Sequence, residues 1–252
     1  EFAPPVHRFG YDHRLMSSPF AEILGESAAI VALRRDMAEA PDTDNLTEGW
    51  ARAGQAPVAI EAGTFALRIE DAQARVNLNA LSSGGAGSAQ ILSRLAEVLD
   101  LAPDVALRIG ARMAQPDPLQ RIGDLGREAG LGPDEVASLS RVLTALPGRG
   151  PVNLNTAPVE VLQVLAATPV QALRLQGMRE RQGLLTSADL AAAGLVMPVG
   201  AGFTSQLFRV TVTVRTGGVT LSRESLLQRR RGPGGAPEVV VVARAPAPAP
   251  LF

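Results

Sequence analysis

The chain has 252 residues, enough for one large or two modest domains, and 46% of them are hydrophobic. Its formal net charge is −1, so no overall electrostatic field attracts nucleic acid or an anionic membrane. It contains no cysteine, which excludes disulfides, thiolate metal sites and thiol nucleophiles.

The sequence carries neither a signal peptide nor an apolar run long enough to span a bilayer. Its first two residues, Glu1 and Phe2, are those that an EcoRI site encodes. We interpret them as a cloning junction, and we therefore expect that an upstream targeting or membrane sequence has been removed.

The first predicted element is a long helix. Ser18 followed by Pro19 is a helix start, because serine caps well and proline suits the first helical position. The helix is predicted to run to about Ala40, before Pro41. Such an apolar helix is either a central core helix or one that packs on its own sheet and also meets a partner. We predict a partner-packing stripe at helical spacing, formed by Phe20, Ile23, Leu24, Ala28 and Val31.

Strand signals flank the middle of the chain. Residues 58–60 and 65–69 around a Glu-Ala-Gly turn predict a β-hairpin, and alternating residues on both sides of Thr216-Gly-Gly predict another. A last strand is predicted at residues 239–243. The run of three arginines at 229–231 is interpreted as a solvated strand end, with a contact patch as the alternative.

The order of elements is helix, strands, a helical block and strands again, which predicts an α+β fold. We expect the N-terminal helix to pack on an antiparallel sheet, with a large all-α insertion that contains helix–hairpin–helix-like repeats. The predicted boundaries are 1–81 for the first part of the sheet domain, 82–202 for the insertion, 203–245 for the second part, and 246–252 for a disordered tail.

The insertion contains a duplication. Residues 76–80 read Val-Asn-Leu-Asn-Ala and residues 152–157 read Val-Asn-Leu-Asn-Thr-Ala. Downstream, Ala-Leu-Arg occurs at 106–108 and again at 172–174. The offset between copies falls from 76 to 66 residues, so the first copy has about 10 extra residues, which we assign to its Gly/Ser segment at 82–88.

The polar residues of the repeated phrase are predicted to be structural junctions: Asn77, Asn79, Asn153, Asn155 and Thr156. The leucine between each asparagine pair points inward, so the asparagines face the other way, where they bond to backbone groups left open as strand becomes helix. Thr156 is predicted to cap the next helix. A binding role for the asparagines is the alternative.

Three further segments predict helix starts in the insertion. Residues 117–120 (Asp-Pro-Leu-Gln) and 168–171 (Thr-Pro-Val-Gln) resemble capping boxes with proline just inside the helix. Residues 186–189 (Thr-Ser-Ala-Asp) predict a further start.

The phrase at 153–158 resembles the entry of helix–hairpin–helix modules such as those in DNA-uptake receptors. In those modules a glycine-rich hairpin presents backbone amides to a DNA phosphate. The corresponding segments here, 101–104 and 167–170, lack glycine, and Pro103 and Pro169 have no amide to donate. A nucleic-acid-binding protein is therefore kept only as the alternative function, and we predict no nucleic-acid partner.

A larger set of features, in order and spacing, resembles the general secretion pathway protein K family, the minor pseudopilins of the bacterial type II secretion system. These features are Arg35-Asp36-Met37, Trp50, the hairpin at 65–71, the junction at 76–81, the second junction at 151–162, and the strands at 208–227.

The resemblance implies a pilin-like fold with an inserted α-domain, anchored in the inner membrane by a single span, with this domain in the periplasm. It implies a non-enzymatic protein that caps the pseudopilus tip together with minor pseudopilins I and J and helps to initiate assembly. Secreted substrates or the outer-membrane secretin are further partners that it allows. Membrane contact is expected only through an N-terminal segment absent from this sequence.

No catalytic motif contradicts that role. The two histidines, His7 and His13, lie in the N-terminal segment without a partner pattern, and no nucleophile elbow, P-loop or dinucleotide fingerprint occurs. We predict no catalytic residue and no cofactor-binding residue.

Some members of the family bind calcium through an acidic loop in the insertion. The equivalent stretch here, 111–120, has one carboxylate, Asp117, whereas a calcium site takes six to eight oxygens. Asp117, Asp124 and Glu128 are interpreted as a cap and a solvated helix face. We therefore predict no metal ligand and no cofactor.

Overall fold

The computed structural model describes residues 13–53, 56–60, 63–81, 86–166 and 168–247, with side chains from residue 23 onward except residue 86. The elements in chain order are α1 His13–Glu39, α2 Gly49–Arg52, β1 Val58–Ile60, β2 Gly63–Asp71, β3 Val76–Asn77, α3 Leu78–Leu81, α4 Ala86–Val98, α5 Pro103–Met113, α6 Asp124–Glu128, α7 Pro133–Ser140, β4 Leu143–Thr144, β5 Val152–Asn153, α8 Val159–Leu165, α9 Pro169–Gln182, α10 Ser187–Ala192, β6 Ala201–Gly202, β7 Leu207–Thr216, β8 Val219–Arg231 and β9 Pro237–Pro246.

One five-stranded antiparallel sheet, in the order β1-β2-β7-β8-β9, forms the frame. The predicted hairpins are confirmed as β1–β2 and β7–β8. Asp71, at the end of β2, pairs with Phe208, near the start of β7. The chain therefore leaves the sheet and re-enters it at neighbouring points, and everything between them forms an insertion on one end of the sheet. This confirms the predicted α+β class.

Helix α1 covers one face of the sheet through a row of buried residues. Gly25, Ala29 and Leu33 are buried and share a helix face. A Cβ atom at Gly25 would lie 2.5 Å from Cγ2 of Val212 on β7, so glycine is needed for this close approach. The buried core of the sheet domain consists of Ala29, Leu33, Trp50, Leu67, Ile69, Phe208, Val210, Val212, Val214, Leu227 and Val239.

The predicted start of α1 is wrong. The helix is already formed at His13, the first described residue, and the Ser18-Pro19 pair lies inside it. Proline inside a helix removes one backbone hydrogen bond and crowds the preceding turn, so a start at this pair was the locally favoured arrangement, but the helix extends past it. The side chain of Phe20 and the whole of His7 lie outside the described parts of the chain.

The insertion, residues 76–202, consists of two copies of one module. In the first, β3 pairs in parallel with β4, and in the second β5 pairs in parallel with β6. Each copy thus opens on the repeated Val-Asn phrase and closes on a short strand beside it. The first helix longer than one turn has 13 residues in the first copy (α4) and 7 in the second (α8), so part of the length difference lies in this helix.

The insertion has its own hydrophobic core, separate from that of the sheet domain. Val76, Leu78 and Leu81 belong to it, so its packing begins before residue 82. The repeated phrase therefore contributes to the insertion rather than to the five-stranded sheet.

Two of the three predicted helix starts are confirmed. Thr168 and Thr186 each accept a hydrogen bond at N3 and close a capping box. The start at Asp117 is wrong, because the next helix begins at Asp124. Asn79 bonds both backbone groups of Leu119, at 2.9 Å each, and these bonds hold the segment out of helical conformation.

The edge strand β9 is longer than predicted and reaches Pro246, which pairs with Arg223. Proline is tolerated on an edge strand, where its missing amide costs no ladder hydrogen bond. The rest of the predicted tail, from residue 248 onward, lies outside the described residues.

Candidate functional site

The asparagines of the first junction bind backbone groups far away in sequence. The Nδ2 atom of Asn77 donates to the carbonyl oxygens of Leu146 (3.2 Å) and Gly148 (3.0 Å), and its Oδ1 accepts from the Leu146 amide (3.0 Å). Asn79 adds a bond to the Leu146 carbonyl at 3.1 Å. These side chains fasten the start of the first module to the linker that leads to the second.

The asparagines of the second junction reach the sheet domain instead. Asn153 is fully buried, and its Nδ2 donates to the Asp44 carbonyl and to Oδ2 of Asp71, both at 2.9 Å. Asn155 donates to Oγ1 of Thr43 at 3.2 Å and accepts from the Leu185 amide at 2.6 Å. The two copies therefore use one phrase for different attachments: the first within the insertion and the second between the insertion and the sheet.

Thr156 does not cap a helix. Helix α8 has Pro158 at its N-cap without a side-chain bond, and Oγ1 of Thr156 donates to Oδ2 of Asp71 at 2.6 Å. Asp71 also accepts from Oγ of Ser205 at 2.6 Å. A buried carboxylate requires hydrogen-bond donors. The hydroxyl of Thr156 therefore bonds to Asp71 and not to a backbone amide at the start of α8. Burial raises the pKa of Asp71, while the bonds from Ser205 and Thr156 lower it in part.

Gln73 is a second bridge that the sequence did not reveal. Its Nε2 donates to the Pro151 carbonyl at 2.7 Å, and its Oε1 accepts from the amides of Gln206 (2.6 Å) and Leu207 (3.0 Å). A single buried amide thus ties the linker between the modules to the start of β7. No pattern around residue 73 marks it, because its partners come from distant segments.

The interpretation of the arginine run as a solvated strand end is wrong for its first member. Arg229 is buried, donates to Asp36 at 2.6 Å and to both carboxylate oxygens of Asp44, and lies 4.6 Å from the ring centre of Phe208. The alternation of residues along β8 could have indicated this burial. Ser225, Leu227 and Arg229 are two positions apart and share the buried face of the strand. Arg230 and Arg231 are exposed.

Three carboxylates meet at this arginine. Asp36, Asp44 and Glu48 place ligand oxygens within 4.8 Å of one another. Glu48 accepts from Nε1 of Trp50 at 2.6 Å and from Nδ2 of Asn45 at 2.7 Å. Burial raises the pKa of Asp36 and that of Asp44 to about 6, against the opposing effect of Arg229, and also raises the pKa of Glu48.

The predicted partner-packing stripe is on the side of α1 away from the sheet. The side chains of Ile23, Leu24 and Val31 are 63%, 52% and 65% exposed, and Ala28 is exposed too. Isolated apolar side chains on a surface are ordinary, whereas a row along one helix face is a candidate interface.

Near the stretch 111–120, Asp124 and Glu128 accept from protein donors, which supports the expectation that no calcium binds there. Glu128 pairs with Arg112 at 2.7 Å and with Arg127 at 3.0 Å, and the exposed Asp117 offers its carbonyl oxygen to Arg112 at 3.0 Å. Asp124 accepts from the Arg121 amide at 2.9 Å. Arginine and backbone amides thus occupy groups that a cation would need.

A cleft of about 510 Å³ lies between the two modules. Strands β3 and β5, helix α4 and the loop before β6 line this cleft. The charged side chains in its lining are Arg94 and Arg149. The hairpin segments lie elsewhere: α5 begins at Pro103 and α9 at Pro169. Within the described residues, no helix has both the length and the apolar character needed to cross a membrane.

Comparisons with known proteins find similarity both in sequence and in fold. No family model matches the chain. The sequence is 28% identical to type II secretion system protein K of Klebsiella pneumoniae, over 81% of this chain and 78% of that protein. The fold is similar to a chain in the crystal structure of the GspK-GspI-GspJ complex from the enterotoxigenic Escherichia coli type 2 secretion system, with a TM-score of 0.70, 18% identity, and coverage of 94% of this chain and 98% of that chain. Neither relative supports the nucleic-acid alternative.

Proposed function

We propose that this chain acts as a minor pseudopilin of a type II secretion system, since its sequence and its fold both support membership of the protein K family of that system. Its role is structural, and it resides in the periplasm. We propose further that it caps the pseudopilus tip together with minor pseudopilins I and J, helps to start assembly, and is held to the inner membrane through a segment N-terminal to this domain.

The two faces of α1 carry this proposal. One face packs on the sheet through Gly25, Ala29 and Leu33, and the other exposes Ile23, Leu24 and Val31. Residues 23–31 span about 12 Å of helix. A helix that is apolar on two sides suits a subunit that packs beside the helices of its neighbours.

The position of the insertion suits a cap. The C-terminal end of α1 meets the sheet end where the insertion is attached, because Asp36 pairs with Arg229 and Asp44 accepts from the Ser205 amide. The exposed stripe lies nearer to the N-terminal end of the same helix. A subunit that packs through this stripe therefore carries the insertion at the far end, where its bulk blocks the addition of another subunit.

The stripe is tested with soluble domains of minor pseudopilins I and J from the same secretion system. Burying an isoleucine or valine stabilises a complex by about 1.5–3 kcal/mol. The double variant Ile23→Glu, Val31→Glu should therefore weaken the complex at least about tenfold. The measurement is co-elution in gel filtration, followed by titration calorimetry.

Leu107→Glu is the matched control, because Leu107 is 74% exposed on α5 in the insertion. It should bind like the unchanged protein. A complex that forms equally well with the double variant contradicts the role of the stripe, and the absence of any complex at tens of micromolar contradicts the assembly role itself.

A further inference from the structure

The carboxylate cluster at Arg229 has more negative charge than its arginine balances. Asp36 comes from α1, Asp44 from the connector, Glu48 from the N-cap of α2, and Arg229 from β8. With all three acids ionised, the four groups carry a net charge of −2, since three negative charges face one positive charge.

Among the described residues, Arg229 is the one cation recorded in a hydrogen bond with this cluster. The other groups that bond to the cluster are neutral: Asn45, Trp50 and the backbone of Ser205. The Phe208 ring lies under Arg229. The next titratable group from the sheet is Asp71, which reaches the hydroxyl of Ser205 and is itself acidic.

The carboxylate oxygens of Asp36, Asp44 and Glu48 lie within 4.8 Å of one another. An ionised carboxylate only accepts hydrogen bonds, so two carboxyl groups bond to each other only when one carries a proton. The proximity of the three acids thus favours a bound proton in a cluster where one arginine leaves negative charge unbalanced.

We infer that this cluster holds a shared proton on or beside Asp36, and that this proton helps to hold the C-terminal end of α1 and the connector against β8. The cluster therefore acts as a pH-sensitive latch of the sheet domain. This goes beyond the proposed assembly role and does not depend on it, because the latch lies within one chain.

The direction of the pH effect follows from burial, which raises the pKa of Asp36 and of Asp44 to about 6 in the folded protein, from 3.8. An acid with a raised folded pKa binds its proton more tightly in the folded state, so its contribution to stability is complete below pH 3.8 and is lost as the pH rises through about 6. One such proton lowers the folding equilibrium constant about tenfold between pH 5 and pH 7.

Asp36→Asn imitates the protonated acid. Its amide donates toward Asp44 and Glu48, and its oxygen still accepts from Arg229. We expect the variant to lose the tenfold fall between pH 5 and pH 7, and to be at least as stable as the unchanged protein at pH 7.5. Trp50 is the only tryptophan and bonds to Glu48, so its fluorescence during urea unfolding reports on this region.

Asp42→Asn is the matched control, since Asp42 is an exposed acid of the same connector. It should keep the pH dependence of the unchanged protein and so account for all other titrating groups. If Asp36→Asn is less stable at every pH and keeps the slope of the control, Asp36 is an ordinary ion-pair partner of Arg229 and the latch is disproved. The carboxylic-acid stretching band in the infrared spectrum at pH 5 gives an independent check, because the latch requires this band to weaken in Asp36→Asn.

Discussion

At the scale of single residues, the attachment of the insertion depends on a few buried polar groups. Asp71 accepts four hydrogen bonds, from Ser205, Thr156, Asn153 and the amide of Gln73. All of these groups are buried, so each partner removed leaves another group unsatisfied. This polar network joins the two domains beside a small buried apolar cluster of Ala72, Leu146 and Leu207.

Asn153→Ala tests this network. The change removes the donor to the Asp44 carbonyl and to Asp71, which leaves two buried acceptors without that partner. We expect a loss of about 1–3 kcal/mol in the free energy of unfolding. Urea unfolding followed by Trp50 fluorescence measures it, because both acceptors belong to the sheet domain.

Gln176→Ala is the comparison for this change, since Gln176 is an amide in the insertion whose bond to Glu180 is exposed. It should alter stability by less than about 0.5 kcal/mol. Equal effects of the two substitutions would contradict a structural role for the buried network.

At the scale of elements, α1 depends on a glycine. The space beside Gly25 is taken by Val212, and Cζ of Phe65 lies 3.1 Å from the position of a Cβ atom. The helix can therefore approach β7 closely only without a side chain at this point. The predicted stripe identified the opposite face of the helix, because large apolar residues dominate a periodicity count and small residues do not.

Gly25→Ala should destabilise the sheet domain. Alanine favours a helix over glycine by about 0.5–1 kcal/mol, but overpacking costs about 1–3 kcal/mol. We expect a net loss in the Trp50-detected unfolding free energy.

Gly110→Ala in α5 separates the two effects, since nothing lies within 4 Å of its Cβ position. This variant should keep the helix gain and be as stable as the unchanged protein or more so, with unfolding followed by circular dichroism. If Gly25→Ala also stabilises the protein, the close approach of α1 to Val212 does not require glycine at this position.

At the scale of the whole molecule, the described residues form two large hydrophobic cores and a small third cluster of Ala72, Leu146 and Leu207. The insertion's core takes residues from both modules, and Glu128 pairs with Arg112 and Arg127. We therefore propose that hydrophobic burial is sufficient to hold this domain together without a bound ion.

We accordingly expect calcium to leave the insertion unchanged. The midpoint of thermal unfolding, measured by circular dichroism at the helical band, should be the same within error in millimolar calcium and in excess chelator. A ligand that binds the folded state at 100 times its dissociation constant stabilises by about 2.7 kcal/mol, so a rise of the midpoint in calcium would overturn this expectation.

The sequence alone determined the elements and their order. The alternation of β7 and β8 around Thr216, the capping boxes at Thr168 and Thr186 and the duplicated phrase are local or repeated patterns, and local patterns can be recognised in one sequence. The same patterns indicated the α+β class and the inserted helical block, and the order of the features indicated the protein K family.

Only the tertiary structure decided where the polar residues act. Thr156 resembles a helix cap but serves Asp71, and Arg229 resembles a surface charge but is enclosed by Asp36 and Asp44. Their partners lie 85 to 193 positions away in the chain. A buried polar group bonds to whatever the fold brings within reach, and proximity in space between distant segments is not written in any local pattern.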